Sequence, residues 1–236
     1  IERWNGPADT ILAAHQIDGK LDIKRGFGST FGALISLCGG APVGQYGPLV
    51  HFGATLGSFL SQSLAKVSLS KDVMIGCGVA AAIAAGFNAP IAGVIFAHEA
   101  VLRHFSFRAI APIAIASITS DWFSVWIFDS GPVFNVEVVE SDLLPLAPFL
   151  IACGLFFGGV SILFMQFLFA SGKIALKLKL SPIKLGLIVA TVVGGIGAFV
   201  PEILGLGGKT VSQMLEGQYL IYSLVLFLIL KIFVSS

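Results

Sequence analysis

Between Gly26 and Ala65 the chain carries no Asp, Glu, Lys or Arg, yet glycine and proline break it midway. The break runs Gly39-Gly40-Ala41-Pro42-Val43-Gly44-Gln45-Tyr46-Gly47-Pro48, and small and apolar residues follow it to Ala65. An apolar helix of about 20 residues already spans a bilayer, so this charge-free stretch is roughly twice that length. Irregular backbone at membrane depth is tolerated only where protein or a water-filled cavity covers it. Pro48 suits the first position of a helix, where a missing N–H costs nothing. The glycines before it allow a tight turn and close approach to a ligand. The N–H groups of Gly47, Leu49 and Val50 are then expected to point out of the helix start, with the positive end of its dipole behind them. That is an anion site made of backbone, and transporters place half-helix ends on anionic substrates in this way. A plain turn between two membrane helices fits the same spacing.

Charged residues make up 11% of the chain and apolar ones 56%, against roughly 25% and 45–50% in soluble domains. The fold class is therefore all-α, a multi-span integral membrane protein with broken, tilted helices. A formal net charge of +1 gives no support for nucleic-acid binding. Cys38, Cys77 and Cys153 are odd in number and lie in apolar runs, as small core residues do, and do not suggest a disulfide or metal set. His98-Glu99 lacks the second histidine of a zinc-protease motif, because Leu102 stands there. No metal site, cofactor or paired nucleophile and base is expected, so no enzyme is. No charged n-region with a cleavage site opens the chain.

Asn5 or Gly6 would cap a first helix with Pro7 in its first turn, and His15 would end it. Gly26–Cys38 reads as a membrane helix with small residues for close packing. Gly53 and Gly57 give the helix after the break a small-residue face of the same kind, and His51 one turn into it is expected to be a buried hydrogen-bonding group, with pore lining as the alternative. Val73–Ala97 is again free of Asp, Glu, Lys and Arg, and Asn88-Ala89-Pro90 divides it. Asn88 reads as an N-cap and Pro90 as an early residue of a short helix reaching His104. Glu99 and Arg103, four apart, would pair along it. Further spans are expected at Phe105–Phe128, with Trp122 and Trp126 as interfacial aromatics, and at Leu143–Gly172, closed by Lys173, Lys177 and Lys179. Others follow at Leu185–Pro201 and Tyr219–Val234, with a short helix at Lys209–Leu215 between them.

Gly44-Gln45-Tyr46-Gly47-Pro48-Leu49-Val50 resembles the Gly-Arg-Glu-Gly-Pro filter segment of the CLC family of chloride channels and chloride/proton exchangers. Gly78–Phe96 resembles that family's run of alanines and glycines followed by Phe-Asn-Ala-Pro, here Phe87-Asn88-Ala89-Pro90. The two matches stand in the family's order and at about its separation. The resemblance implies a membrane domain of two inverted halves, with residues 1–134 most of the first half and 135–236 the first part of the second. It implies a homodimer in the plasma membrane, chloride or another small anion as the transported partner, and lipid around it. Pro7 matches the proline of the family's Gly-Ser-Gly-x-Pro segment, but Trp4, Asn5 and Gly6 stand where Ser-Gly-x is expected, so backbone N–H groups would replace the serine contact. The family's third filter segment would lie beyond Ser236, and further helices before residue 1, so the chain reads as the middle of a longer protein.

Two departures bear on mechanism. The family's gating glutamate is here Tyr46, a phenol with a reference pKa of about 10 that carries no charge at neutral pH. The second glutamate of the exchangers, which feeds protons from inside, falls on Ala100, with Glu99 beside it and His98 as a candidate substitute of the residue type that titrates near neutrality. Passive, uncoupled chloride movement is the leading expectation. The alternatives are an exchanger with a rerouted proton path and a CLC-fold scaffold that transports nothing.

Overall fold

A computed structural model describes residues 6–15, 21–63, 69–129, 134 and 143–236. Trp4 and Asn5 lie outside these. The regular structure among the described residues is all helical, with no strand, and these residues group into two compact units.

The first unit comprises Ile1–Cys38 and Gly44–Val133. Its helices are α1 (Pro7–His15), α2 (Ile23–Cys38), α3 (Tyr46–Ser63), α4 (Lys71–Phe87), α5 (Pro90–Phe96) and α6 (Phe107–Phe128). The α3–α4 pair is its centre, and glycine dictates how they meet. A Cβ on Gly53 would strike the Gly78 carbonyl oxygen, one on Gly78 would strike that of Gly53, and one on Gly57 would strike that of Met74. The two helices therefore run antiparallel, backbone against backbone, an approach only small residues permit. Their buried surface is made of small and β-branched groups such as Ala54, Ile75, Val79 and Ala80. α6 lies parallel to α4. Ser120 and Ser124 donate to the carbonyls of Ala81 (2.9 Å) and Ala85 (3.5 Å), and Ser117 donates to Pro90 O at 2.7 Å.

Two junctions differ from the sequence expectation. Asn88 does not cap α5; it ends α4 in a left-handed conformation (φ 52°), its N–H on Ala84 O, and Ala89 takes the N-cap place. Asparagine tolerates that conformation better than other residues with side chains. Nor does the following helix run as α-helix to His104. It widens at Ala97–Leu102 into a π-helical turn and stops at Arg103, itself left-handed at φ 55°. The Glu99–Arg103 pair accordingly does not form among the described residues, because the i,i+4 alignment belongs to α-geometry.

The second unit comprises Gly39–Val43 and Phe134–Ser236. It holds α7 (Leu143–Leu178), α8 (Pro182–Phe199), α9 (Gly208–Leu215) and α10 (Ile221–Ser235). α7 does not close at Gly172 but carries Lys173 and Lys177 within its last turns, and its 36 residues amount to about 54 Å at 1.5 Å each. That exceeds the roughly 30 Å hydrocarbon core, and apolar side chains such as Phe149, Leu155 and Phe169 stand exposed along it. α6, α7 and α8 are each long and apolar enough to cross a membrane. A 3₁₀ turn at Pro201–Ile203 leads to the glycine-rich loop 205–208. The ammonium of Lys231, the one charge in α10, donates to Ile203 O (2.8 Å) and Gly205 O (2.7 Å). Gly205 N–H in turn donates to Gly40 O at 2.9 Å.

Candidate functional site: a cavity at three helix starts

Within the first unit, the starts of α1, α3 and α5 line one cavity of about 390 Å³, which Pro7, Tyr46, Gly47, Val50, Ala89 and Ala92 border together with Ile83, Phe87 and Phe96. Each start follows from local sequence. At α1, the Gly6 carbonyl accepts from Asp9 N–H (3.0 Å) and Thr10 N–H (3.2 Å), while Asp9 Oδ2 accepts Gly6 N–H at 2.7 Å. That places Gly6 at the cap, Pro7 first, and an acidic residue where the dipole favours it. At α3, Leu49 N–H donates to Gln45 O at 3.0 Å, so Gln45 is the cap and Tyr46 the first helical residue. Pro48 is thus third rather than first, which costs nothing because that N–H is also unpaired in a helix start. The donors left without a partner among the described residues are those of Tyr46 and Gly47. Leu49 and Val50, expected to be free, are spent inside the helix. At α5, Gly93 N–H reaches back to Ala89 O (3.1 Å) with Pro90 at the first position.

Among the lining residues the sole polar side chain is Tyr46, and none is charged. The cavity surface is almost wholly apolar, and the polar groups at its border are the Tyr46 phenol and the unpartnered N–H groups of Tyr46 and Gly47. Gly47 brings α3 against α1, since a Cβ there would lie 3.3 Å from Pro7 Cγ. The Tyr46 ring is stacked on Phe87, the last residue of α4, with centroids 3.7 Å apart and planes 16° from parallel. Gln45 and Pro48 face a different, apolar cavity between α2 and α3, together with Leu49. Gly44 borders neither.

The model of the family described as voltage gated chloride channel matches residues 2–236. The chain is a member of the voltage gated chloride channel family. A ClcB-like chloride channel protein of Ralstonia nicotianae is 28% identical over 96% of this chain and 54% of its own length. The voltage-gated ClC-type chloride channel ClcB of Shigella flexneri is 26% identical over 91% of this chain and 51% of its own. Among solved structures, a CLC-type fluoride/proton antiporter superposes with a TM-score of 0.76 at 25% identity, covering 95% of this chain and 58% of that one. The chain thus spans about half the length of the curated relatives it matches. Membership and the apolar helices together make it an integral membrane protein of the CLC fold.

The other residues singled out from the sequence of this CLC-family chain lie away from the cavity. His51, 1% exposed, shares a 2.9 Å hydrogen bond between its Nδ1 and Thr10 Oγ1, tying α3 to α1 one turn below their starts. This meets the expectation of buried hydrogen bonding, though its Nε2 has no partner. His98 lies in the π-helical turn, fully buried, with Nδ1 3.1 Å from His104 O and its ring stacked on Phe105. Its Nε2 is likewise unpartnered. Glu99 is exposed and Ala100 half-buried. Sequence reasoning missed Thr10, Asp121 and the α6 serines. Ser117, Ser120 and Ser124 recur at one-face helical spacing inside an apolar span, a legible signal. Asp121, with Oδ1 buried and unpartnered, is a carboxylate inside that same span, the kind of residue that draws notice in a membrane helix. Thr10 offered no signal. No group of three or more His, Cys, Asp or Glu suited to a metal occurs among the described residues.

Proposed function

We propose that the cavity at the α1, α3 and α5 starts is part of a transmembrane path for chloride or a similar small anion, and that movement along it is passive. The observation that carries this reading is the convergence of three helix starts on one cavity free of charged side chains. Helix N-termini present N–H donors and a positive dipole end to an anion. Without a full cation among them, an ion exchanges its hydration for backbone contacts and still leaves. Gly6 and Pro7 serve the α1 start and Gly44 to Val50 the α3 start, while Trp4 and Asn5 are assigned by position in the family. Tyr46 takes the gate position in place of the family's carboxylate. With Tyr46 and Ala100 in the two positions where the exchangers carry glutamates, neither position offers the carboxylate that coupling would use. The reading includes a homodimer in the plasma membrane, with the exposed side of α5 and α6 (Ile91, Ile115, Ile118) facing the second copy.

A second reading has one specific observation in its favour. His98 is fully buried with an unpartnered ring nitrogen, and π-helical turns recur at functional sites. It could carry protons in an exchanger. Simultaneous chloride and proton flux from proteoliposomes holding the full-length protein separates the two. Chloride efflux without proton uptake is expected; proton uptake tied to chloride refutes the passive reading and directs attention to His98.

A further inference from the structure

One edge of the cavity is made of two rings from different elements, Tyr46 at the α3 start and Phe87 at the α4 end. Both are set on backbone that has little play. α3 and α4 meet at Gly53 and Gly78 without intervening side chains, and Asn88, next to Phe87, is pinned by its N–H to Ala84 O. Gly86 completes the fit, because a Cβ there would lie 2.5 Å from Leu49 Cδ2 and 3.9 Å from Tyr46 Cε1. The Tyr46 side chain has no hydrogen-bond partner among the described residues. Its orientation is thus set by the 3.7 Å ring contact and by the shape of the wall.

We propose that Phe87 is a positioning residue that latches Tyr46 across the path, so that the path opens when two stacked rings part. No carboxylate has to titrate for this to happen. The proposal rests on the reading of the cavity as an anion path. An aromatic pair biases an equilibrium by a factor of about 2 to 12, so the latch is weak enough to open spontaneously. Flux through it is set by the lifetime of one aromatic contact.

The test is chloride efflux from proteoliposomes holding the full-length protein, compared among wild type, Phe87→Leu, Phe87→Tyr, Tyr46→Ala and the Tyr46→Ala/Phe87→Leu double variant. Phe87→Leu is expected to raise efflux about 2- to 12-fold, Phe87→Tyr to retain the wild-type rate, and Tyr46→Ala to raise it. The double variant is expected to match Tyr46→Ala alone, since a latch has nothing to hold once the tyrosine is gone. A loosening of the fold at position 87 would instead act with or without the tyrosine. Unchanged efflux in Phe87→Leu beside a raised rate in Tyr46→Ala overturns the latch and leaves the anion path standing. Absence of chloride efflux in every variant overturns the path itself, and the latch with it. Should Phe87→Leu not yield folded protein, 3-fluorotyrosine at position 46 of the full-length chain reports the stack by ¹⁹F resonance. Two exchanging signals, with the less shielded one growing as efflux grows with temperature, support the latch; one signal that ignores efflux overturns it.

Discussion

The α3–α4 contact offers a perturbation whose size follows from geometry. In Gly78→Ala the new Cβ would be driven against the Gly53 carbonyl, with the carbonyl carbon 2.7 Å and Gly57 N 3.2 Å away, where ordinary contact lies at 3.4–4 Å. The obstacles are backbone atoms of a helix and cannot rotate aside, so the helices must part by at least 0.7 Å (3.4 less 2.7 Å). Overpacking of this kind costs about 3 kcal/mol, the upper part of the usual range. Alanine returns about 1 kcal/mol through helix propensity, leaving a net loss of about 2 kcal/mol. Gly159→Ala in α7 is the matched control: a Cβ there meets nothing within 4 Å, so the propensity gain of about 1 kcal/mol stands alone. Thermal unfolding of the full-length protein in detergent micelles should order the proteins Gly159→Ala, wild type, Gly78→Ala, from most to least stable. A Gly78→Ala variant melting at or above wild type would refute the claim that backbone contact sets the distance between α3 and α4.

Three further outcomes are expected. Tyr46→Glu places a carboxylate of reference pKa about 4.3 at the cavity; ionised, it competes with the anion, so chloride efflux should fall as pH rises through that range, and a flat profile between pH 4 and 8 would count against the path. Thr10→Val removes the partner of a buried imidazole and should cost about 1–3 kcal/mol of stability, read from the same melting assay; no change would mean that a water replaces the hydroxyl. Lys231→Met deprives the Ile203 and Gly205 carbonyls of a charged donor at 2.8 and 2.7 Å, so the 205–208 loop should become a preferred site of limited proteolysis, with a stability loss of about 1.5–3 kcal/mol. An unaltered cleavage pattern would show that the loop is held by other contacts.

The broken backbone, the Pro7 and Pro90 helix starts and the apolar spans that became α6, α7 and α8 were legible because each depends on neighbours in sequence. Details that depend on geometry were not. Asparagine suits both an N-cap and a left-handed helix end, so Asn88 alone could not say which side of the break it serves. The Glu99–Arg103 pairing presumed α-helical spacing, and nothing in Ala97–Leu102 announces a π-helical turn. The start of α3 moved by two residues because proline is equally acceptable at any position whose N–H is unpaired, which left Tyr46 and Gly47 as the free donors. The partners of His51 and Tyr46, Thr10 and Phe87, come from other helices, and local pattern carries no information about them. The serines of α6 were readable and mark how a span with few buried side chains is still fixed to α4 and α5.

The joint at Asn88 and Ala89 also joins opposite poles. α4 ends there with its carbonyls, the negative end of its dipole, and α5 begins there with its N–H groups, the positive end. Phe87 and Ala89, one from each pole, both border the cavity. On the proposed reading, an anion between the α1 and α3 starts would meet, on its third side, a helix start partly cancelled by the helix end beside it. Full attraction from three unopposed starts would lengthen the ion's stay; the cancellation shortens it. On that reading, dwell time and turnover would depend on how closely α5 follows α4, and inserting residues between Phe87 and Pro90 would be felt as slower release before it was felt as altered affinity for one ion over another.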